Sequence, residues 1–499
     1  MISVGSAALP QARSAVEGRT ALRVGGGPAF ALAVAAGVSW ALAAPPRGWW
    51  PLLPTGVAML ALALRGQNVR RRLRLGAVTG AVLYGATLPW LLDFSVPGYV
   101  VLALLETTLL AGAVAATTRW WTLPGALVLL EAAQARFPLG GFPLPGLVYS
   151  QPGGPFALAA PLGGALLVLG LSATAGAALA ALLLSPGLRR RLATAAALAS
   201  VATMPLAAAA AVTTAPAGSL DAAVVQGGGP RGTRAVFTDP DDVTARHLAV
   251  LETITGSPDL VLLPEGVVVV DGRLDDSADS ATLAERARRL GSSLVVGVVE
   301  GEPDGFRNAA VAYTADGQLV DRYEKEHRVP FGEYIPARGL LSQLTDATAL
   351  VPKDAIVGEG TARLRLPQAD VGVVISYEVF FADRVREAVR AGGRVLLVPT
   401  NASSYTGAEV PATEVAAARL RAREYGRAVL QAAPTGYSAV ILPDGRVVAQ
   451  TELGAAQLLR ETVPLRRGLT PYARAGDLPV LALALGVVLA PLVLARRRT

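Results

Sequence analysis

Long apolar runs dominate the first 215 residues of the chain, and one further apolar run lies near its end. Each approaches the ~20 apolar residues that a helix needs to cross a bilayer. The second and fifth are short enough to be partly buried or re-entrant segments instead. The pattern predicts about eight membrane-spanning helices, at residues 28–44, 51–65, 75–92, 98–118, 123–137, 156–185, 192–213 and 477–495.

The region between these apolar runs has a different pattern, in which short apolar segments alternate with charged, helix-forming ones. Continuous apolar strands that alternate with helices indicate a sheet covered by helices. Strands are predicted at residues 221–226, 259–263, 293–299, 309–314, 371–376, 395–399 and 438–450. Helices are predicted at residues 241–254, 281–290, 382–391 and 411–429.

The two patterns divide the chain into three parts. Residues 1–215 are predicted to form a transmembrane bundle of about seven spans, and residues 216–473 an α/β domain. Residues 474–499 are predicted to add a last transmembrane helix with a basic tail. The domain is long enough, at about 250 residues, to bury a core of its own.

Three arginine clusters orient the predicted spans, because cytoplasmic loops carry an excess of Lys and Arg. They lie at residues 70–74, 189–191 and 496–498. Eight spans with a cytoplasmic N-terminus place all three clusters inside the cell and the α/β domain outside. Seven spans, the alternative count, would leave one cluster outside.

Composition narrows the classes of function. The net charge is +7 and the pI about 9.9, values that often accompany nucleic-acid binding. Many of these arginines flank apolar runs, however, so we expect no nucleic-acid partner. The chain has no cysteine and two histidines, which excludes disulfides and thiolate metal sites and argues against a histidine-rich one. We expect neither a metal nor a cofactor.

Polar residues follow several predicted strands directly, where functional groups of α/β proteins tend to collect. Glu265, Ser376 and Asn401 have this position, and residues 323–336 add a loop rich in charge, aromatic rings and proline. Each also has an ordinary structural explanation. A glutamate at a strand end is often a cap, a serine before a helix often a turn residue, and a loop lysine is usually solvated.

Taken together, three segments resemble a known family. LLPEG at 262–266, YEKEHRVPFGEYIP at 323–336 and ISYEVFFADRVR at 375–386 are similar to the nitrilase (carbon-nitrogen hydrolase) superfamily, and most similar to bacterial apolipoprotein N-acyltransferase. That family joins a seven-span bundle, a nitrilase-like domain and a final span. The resemblance implies a nitrilase-like αββα sandwich domain on a membrane α-helical bundle in a bacterial plasma membrane, with the domain extracytoplasmic.

The resemblance also implies residue roles. Glu265 matches the general base, Lys325 the lysine that stabilises the oxyanion, and Ser376 the position of the nucleophile. Supporting roles are implied for Glu333, Tyr377, Glu378 and Asn401. The implied reaction moves an acyl chain from phospholipid to the enzyme, and then to the N-terminal α-amine of a diacylated prolipoprotein. We expect a membrane-embedded monomer.

One position departs from the family, whose nucleophile is cysteine where this chain has Ser376. A thiol, with a reference pKa of about 8.5, ionises far more readily than a hydroxyl, which needs a positioned base. Three functions therefore stay open: an N-acyltransferase working through an oxygen ester, a catalytically impaired lipid- or lipoprotein-binding paralogue, and a membrane-bound amidase. The serine is compatible with a natural residue or with an engineered change.

Overall fold

The computed structural model describes residues 25–184, 187–211, 213–232, 237–343, 348 and 351–496. The first 24 residues of the predicted bundle lie outside the described residues. So do Arg497 and Arg498 of the predicted C-terminal basic cluster.

The N-terminal part is a bundle of seven helices that coincide with the first seven predicted spans. They are α1 Gly26–Ala43, α2 Leu52–Ala63, α3 Val69–Thr87, α4 Val96–Ala116, α5 Leu123–Gln134, α6 Ala160–Leu184 and α7 Leu188–Ala210. Helix α3 begins before its predicted start at residue 75. Asn68 caps it by accepting a hydrogen bond from the Arg71 backbone N–H at 3.0 Å, so the arginine cluster is part of the helix.

Four helical segments among the described residues are long and apolar enough to cross a membrane by length and composition. They are Gly26–Ala43, Val96–Ala116, Pro155–Leu184 and Leu188–Ala210. Helices α2 and α5 have 12 residues each, which corresponds to roughly 18 Å, less than the hydrocarbon core. Eight complete spans therefore remain a prediction.

Small residues bring the bundle helices close together. A Cβ added to Gly76 would lie 2.9 Å from Ala111 Cα, and one added to Gly80 would lie 3.0 Å from Thr107 Cα. The two glycines are four positions apart, so they share one face of α3 and let α4 pack against the backbone.

The domain contains two β-sheets. The first has strands β1 Ala215–Gln226, β2 Leu260–Leu262, β3 Val268–Asp271, β4 Ser293–Glu302, β5 Gly305–Tyr313, β6 Leu319–Glu324 and, at its edge, β13 Gln457–Arg467. The second has strands β7 Arg363–Arg365, β8 Asp370–Val373, β9 Leu396–Pro399, β10 Val429–Ala432, β11 Ala439–Ile441 and β12 Val447–Gln450. Their spatial orders are β13-β1-β2-β4-β5-β6, with β3 beside β4, and β12-β11-β10-β9-β8-β7.

The alternation of side chains between the two faces of a sheet explains why the strands are apolar throughout. Along β1, Ala222 and Val224 belong to the core shared with the second sheet, whereas Ala223 and Val225 belong to a core beneath helices. Successive side chains of a strand point to opposite faces, so a strand buried on both faces has no polar face. The layers are therefore helix, sheet, sheet, helix.

Four domain helices cover the outer faces of the two sheets, namely α8 Pro240–Leu251, α9 Ala278–Leu290, α11 Ala382–Arg390 and α12 Glu409–Tyr425. The one-turn helix α10 Arg338–Leu341 lies between β6 and β7 in the chain, and α13 Pro471–Ala475 packs against α6 of the bundle. A last helix, α14 Leu478–Arg496, returns to the bundle and packs on α5. The predicted helix 411–429 is wrong at its end. Gly426, with φ +60°, terminates α12, and its N–H bonds back to the Ala422 and Arg423 carbonyls.

Two strand predictions need correction at positions that matter for the site. The strand predicted at 371–376 ends at Val373, and Ser376 opens a short 3₁₀ turn that runs to Phe380. The strand predicted at 309–314 begins earlier, at Gly305, so Asn308 lies inside it. The short strands β3, β6, β7 and β10 and the long edge strand β13 were not predicted, and 438–450 is a two-strand hairpin.

A buried ion pair fastens the domain to the bundle. Arg421 bonds to Glu424 one turn later on α12, and Glu424 Oε1 accepts the backbone N–H of Ala165 in α6 at 2.7 Å. Arg421 Nε also donates to the Val379 carbonyl at 2.9 Å, in the turn that follows Ser376. The pair thus joins the membrane bundle, α12 and the serine turn.

The substitution Glu424→Ala should lower the unfolding free energy by about 3–5 kcal/mol, because it leaves the buried Arg421 charge without its partner. Unfolding of the purified full chain in mixed micelles measures this. Glu285→Ala is the matched control, since Glu285 pairs with Arg288 on an exposed surface, and its effect should stay within about 0.5 kcal/mol. Equal effects of the two substitutions would contradict the anchoring role.

Candidate active site

Three of the predicted site residues, Glu265, Lys325 and Glu333, meet in one buried cluster. Lys325 Nζ donates to Glu265 Oε1 at 2.8 Å and to Glu333 Oε1 at 2.7 Å. Asn308 Nδ2 donates to the same two oxygens, at 2.6 and 3.1 Å. Glu265 follows β2, Asn308 lies in β5 and Lys325 follows β6, so the first sheet supplies three of the four side chains.

The cluster holds more negative than positive charge, and this fixes the lysine as an ammonium. The carboxylates of Glu265 and Glu333 raise the pKa of Lys325 above its ordinary value despite the cost of burial. Burial raises the pKa of Glu265, an effect that the Lys325 charge opposes. Glu265 combines this raised pKa with a place beside a fixed cation, which suits a proton-transferring group.

Ser376 lies in a strained turn at the end of β8. Its φ of +50° falls in the left-handed region that residues other than glycine rarely adopt. The side chain is 7% exposed. Its hydroxyl oxygen lies 3.1 Å from Thr400 Oγ1, and Thr400 in turn donates to Glu414 Oε1 at 2.8 Å. Strained backbone of this kind concentrates at functional sites.

Electrostatic interaction connects the serine group to the lysine cluster. Burial raises the pKa of Glu414 to about 8, and Thr400, which bonds to the carboxyl, opposes the rise. The charge of Glu265 raises the pKa of Glu414 further, and that of Lys325 lowers it. The Glu414 carboxyl therefore lies within the electrostatic influence of both Glu265 and Lys325.

Glu378 holds the two halves of the site together. Its carboxylate is fully buried and accepts the Ile375 N–H at 2.7 Å, directly before Ser376. It also accepts the Glu326 and His327 N–H groups at 2.8 and 3.1 Å, directly after Lys325. The Tyr323 hydroxyl donates to it at 2.7 Å. One carboxylate therefore sets the position of the serine turn relative to the lysine loop.

Tyr377 and Asn401 play different parts. The Tyr377 hydroxyl donates to the Gly141 carbonyl at 2.9 Å, which connects the serine turn to a loop of the bundle. Asn401 is exposed and accepts the Ser403 N–H at 3.1 Å, so it shapes its own loop. Among the described residues it makes no hydrogen bond to Glu265, Lys325 or Ser376.

The residues Asn308, Thr400 and Glu414 belong to the site but were not among the predicted site residues. Asn308 and Thr400 gave a signal in the sequence, as polar residues at the margins of predicted strands. Glu414 gave none, because it lies within α12 among alternating charged and apolar residues. Its depth, at 4% exposure, follows from how the helix packs against the second sheet.

Family models match both parts of the chain. The carbon-nitrogen hydrolase model matches residues 221–468, and the apolipoprotein N-acyltransferase N-terminal domain model matches residues 36–178. The domain thus has the nitrilase-like fold, and the helical region has the sequence pattern of that N-terminal domain.

Relatives and solved structures extend the likeness. Apolipoprotein N-acyltransferase from Mycolicibacterium smegmatis is 31% identical over 48% of this chain, a match that spans 39% of that relative. A Saccharomyces cerevisiae member of branch 10 of the nitrilase superfamily is 18% identical, covers 50% of this chain and 91% of its own, and has a TM-score of 0.38.

Two relatives match nearly end to end. Apolipoprotein N-acyltransferase from Pseudomonas syringae pv. tomato is 31% identical over 90% of this chain and 93% of its own length. The enzyme of the same name from Pseudomonas putida is 31% identical over 92% and 96%. With both parts of the chain matched in order and along almost their whole length, this protein belongs to the apolipoprotein N-acyltransferase family, and it is an acyltransferase of the nitrilase superfamily.

Proposed function

We propose that the protein transfers an acyl chain from a phospholipid to the N-terminal α-amine of a diacylglyceryl-cysteine lipoprotein, through an acyl-enzyme on Ser376. In this proposal Ser376 takes the place that cysteine has in the family. The observation that carries the proposal is the placing of a buried, strained hydroxyl in one site with an ammonium held by two carboxylates.

Ser376 Oγ attacks the carbonyl carbon of the phospholipid ester. The negative charge that develops on the carbonyl oxygen is stabilised by the Lys325 ammonium, which two carboxylates keep protonated. Collapse expels the lysophospholipid and leaves an oxygen ester on Ser376. The lipoprotein α-amine then attacks this ester, which releases the amide product and regenerates the Ser376 hydroxyl.

Glu265 is the general base for the lipoprotein α-amine when this amine attacks the acyl-enzyme. Two donors, Asn308 Nδ2 and Lys325 Nζ, bind its Oε1, and none of the hydrogen bonds within the described residues engages Oε2. That oxygen is free to accept a proton. Glu333 steadies the arrangement, since its second oxygen accepts the Val329 N–H at 2.8 Å while the first binds Lys325.

The surface beside the site suits lipid substrates. Phe331 is 57% exposed, and Phe137 and Leu139 of the bundle loop are 57% and 48% exposed. Tyr334 donates to the Leu139 carbonyl at 3.4 Å, which brings the two segments side by side. Apolar side chains exposed together mark a surface for lipid or protein.

The proposal includes the arrangement in the membrane. Residues 1–215 form a bundle of about seven spans, residues 216–473 an extracytoplasmic catalytic domain, and residues 474–499 the last span with a cytoplasmic tail. The chain acts as a monomer in the bacterial plasma membrane. The arginine clusters and the return of α14 to the bundle support this arrangement.

Because the chain has no cysteine, single engineered cysteines report its topology without background. Asp304→Cys lies in an exposed turn of the domain, and Leu188→Cys lies at the exposed start of α7. A membrane-impermeant maleimide should label the first in intact spheroplasts and the second only after permeabilisation. Labelling of both without permeabilisation would refute the proposed topology.

Replacing the nucleophile tests the reaction. Ser376→Ala should lower acyl transfer from phospholipid to a diacylated lipopeptide on the order of 10⁴-fold or more, since alanine has no oxygen to carry the ester. Ser376→Cys should transfer at least as fast as the unaltered chain, because a thiol ionises more readily. Product is measured by mass spectrometry of the lipopeptide.

The control for this experiment is Ser342→Ala, a serine outside the site. If Ser376→Ala transfers the acyl chain as fast as the unaltered chain, Ser376 is not the nucleophile. A chain that transfers only as Ser376→Cys is a binding paralogue, and release of free fatty acid without lipopeptide product identifies an amidase-like hydrolase.

A further inference from the structure

Glu414 is the buried carboxyl that the reaction described above leaves without a role. Its Oε1 accepts from Thr400, and its Oε2 is buried with no hydrogen-bond partner among the described residues. A buried carboxyl oxygen without a hydrogen-bond partner lowers the stability of the fold. A role in the reaction would explain why this position carries a glutamate.

The hydrogen bonds around Thr400 define a direction for proton movement. Thr400 has one hydroxyl proton, and Oγ1 lies 2.8 Å from Glu414 Oε1 and 3.1 Å from Ser376 Oγ. When that proton points to the carboxylate, the threonine oxygen is left to accept from the Ser376 hydroxyl. The three groups then form a continuous path from the nucleophile to a base.

No such path leads from Ser376 to Glu265. Among the hydrogen bonds of the described residues, the Ser376 hydroxyl contacts Thr400, while Glu265 is engaged by Lys325 and Asn308. We propose that Glu414, acting through Thr400, is the proton acceptor that activates the Ser376 hydroxyl. This inference rests on the proposed acyl transfer and leaves Glu265 to serve the acceptor amine in the second half-reaction.

The step balances without another reactant. As the bond from Ser376 Oγ to the acyl carbon forms, the serine proton passes to Thr400 Oγ1 and the threonine proton to Glu414 Oε1. The carbonyl π pair becomes the oxyanion. When the bond to the glycerol oxygen breaks, that oxygen takes a proton from Thr400 Oγ1, and Thr400 recovers one from Glu414 Oε1, so Glu414 is again a carboxylate.

A serine nucleophile needs this arrangement more than a cysteine does. A thiol ionises near neutral pH, whereas a hydroxyl loses its proton only as it attacks and therefore requires a base at hydrogen-bond reach. The path from Ser376 through Thr400 to Glu414, here called the relay, thus supplies the base that a hydroxyl nucleophile needs.

The environment of Glu414 sets a pH dependence. The charged and titratable groups that face it are Glu265, Lys325 and the Tyr405 phenol. The carboxyl, with its pKa raised to about 8, is the active base only when deprotonated. Acylation of Ser376 should therefore rise with pH and level off above about 8.

A double-mutant cycle on the full chain tests the relay. Glu414→Gln keeps the size of the side chain and removes the base, so single-turnover acylation by phosphatidylethanolamine in mixed micelles should fall about 10²-fold. In the Ser376→Cys background the same substitution should change the rate by about threefold or less. Intact-mass analysis of the protein follows the acyl adduct.

Three further variants complete the design. Thr400→Val should lower the rate of Ser376 acylation as much as Glu414→Gln does. Thr400→Ser should keep the rate of the unaltered chain, because serine retains the hydroxyl. Glu409→Gln, on the exposed face of the same helix, should leave the rate and its pH profile unchanged.

The outcomes separate the relay from the proposed function. Equal losses from Glu414→Gln in both backgrounds, or a pH profile that this substitution does not alter, would show a merely structural role and overturn the relay alone. Absence of any adduct on the unaltered chain, while Ser376→Cys is acylated, would overturn the relay together with the oxygen-ester reaction.

Discussion

The carboxylate of Glu378 is the interaction on which the site depends. It binds the backbone before Ser376 and the backbone after Lys325, and so fixes the proposed nucleophile relative to the cation proposed to stabilise the oxyanion. Arg384 and the Tyr323 hydroxyl enclose the carboxylate, which has no contact with solvent. Backbone N–H groups and a buried carboxylate make strong hydrogen bonds, and here they hold two loops from different sheets. The strained φ of Ser376 persists because its surroundings determine it.

The same turn is fastened to the membrane bundle. Tyr377 reaches the Gly141 carbonyl, and Arg421 holds the Val379 carbonyl while its partner Glu424 holds Ala165 of α6. Two residues that follow Ser376 therefore connect its turn to the helical bundle, Tyr377 directly and Val379 through Arg421 and Glu424. This connection holds the Ser376 oxygen at a fixed position relative to the helical bundle.

Much of this architecture could be predicted from the sequence, since apolar runs and arginine clusters are local signals. Seven predicted spans coincide with helices, and the interior strands β1, β2, β4, β5, β8 and β9 were found, whereas the buried interior strand β10, directly after the helix predicted to end at residue 429, was missed. Edge and short strands were missed, because β7 has only three residues and exposed edges lack a continuous apolar run. The helix predicted to end at residue 429 ended at Gly426, where a left-handed glycine closes it.

The site was predicted only in part, for a physical reason. Glu265, Lys325 and Glu333 lie in recognisable segments, and the structure brings them together. Glu414 lies mid-helix, and its burial against Thr400 results from tertiary packing that no local pattern encodes.

The central claim is that an oxygen atom, that of Ser376, carries the acyl group between two lipid substrates. The most direct measurement is peptide mapping of the full chain after incubation with phospholipid that carries an isotopically labelled acyl chain. The account predicts one labelled acyl ester, on the peptide that contains Ser376, which disappears when a diacylated lipopeptide is added. Label on another residue, or an ester on Ser376 that persists in the presence of the lipopeptide, would contradict it.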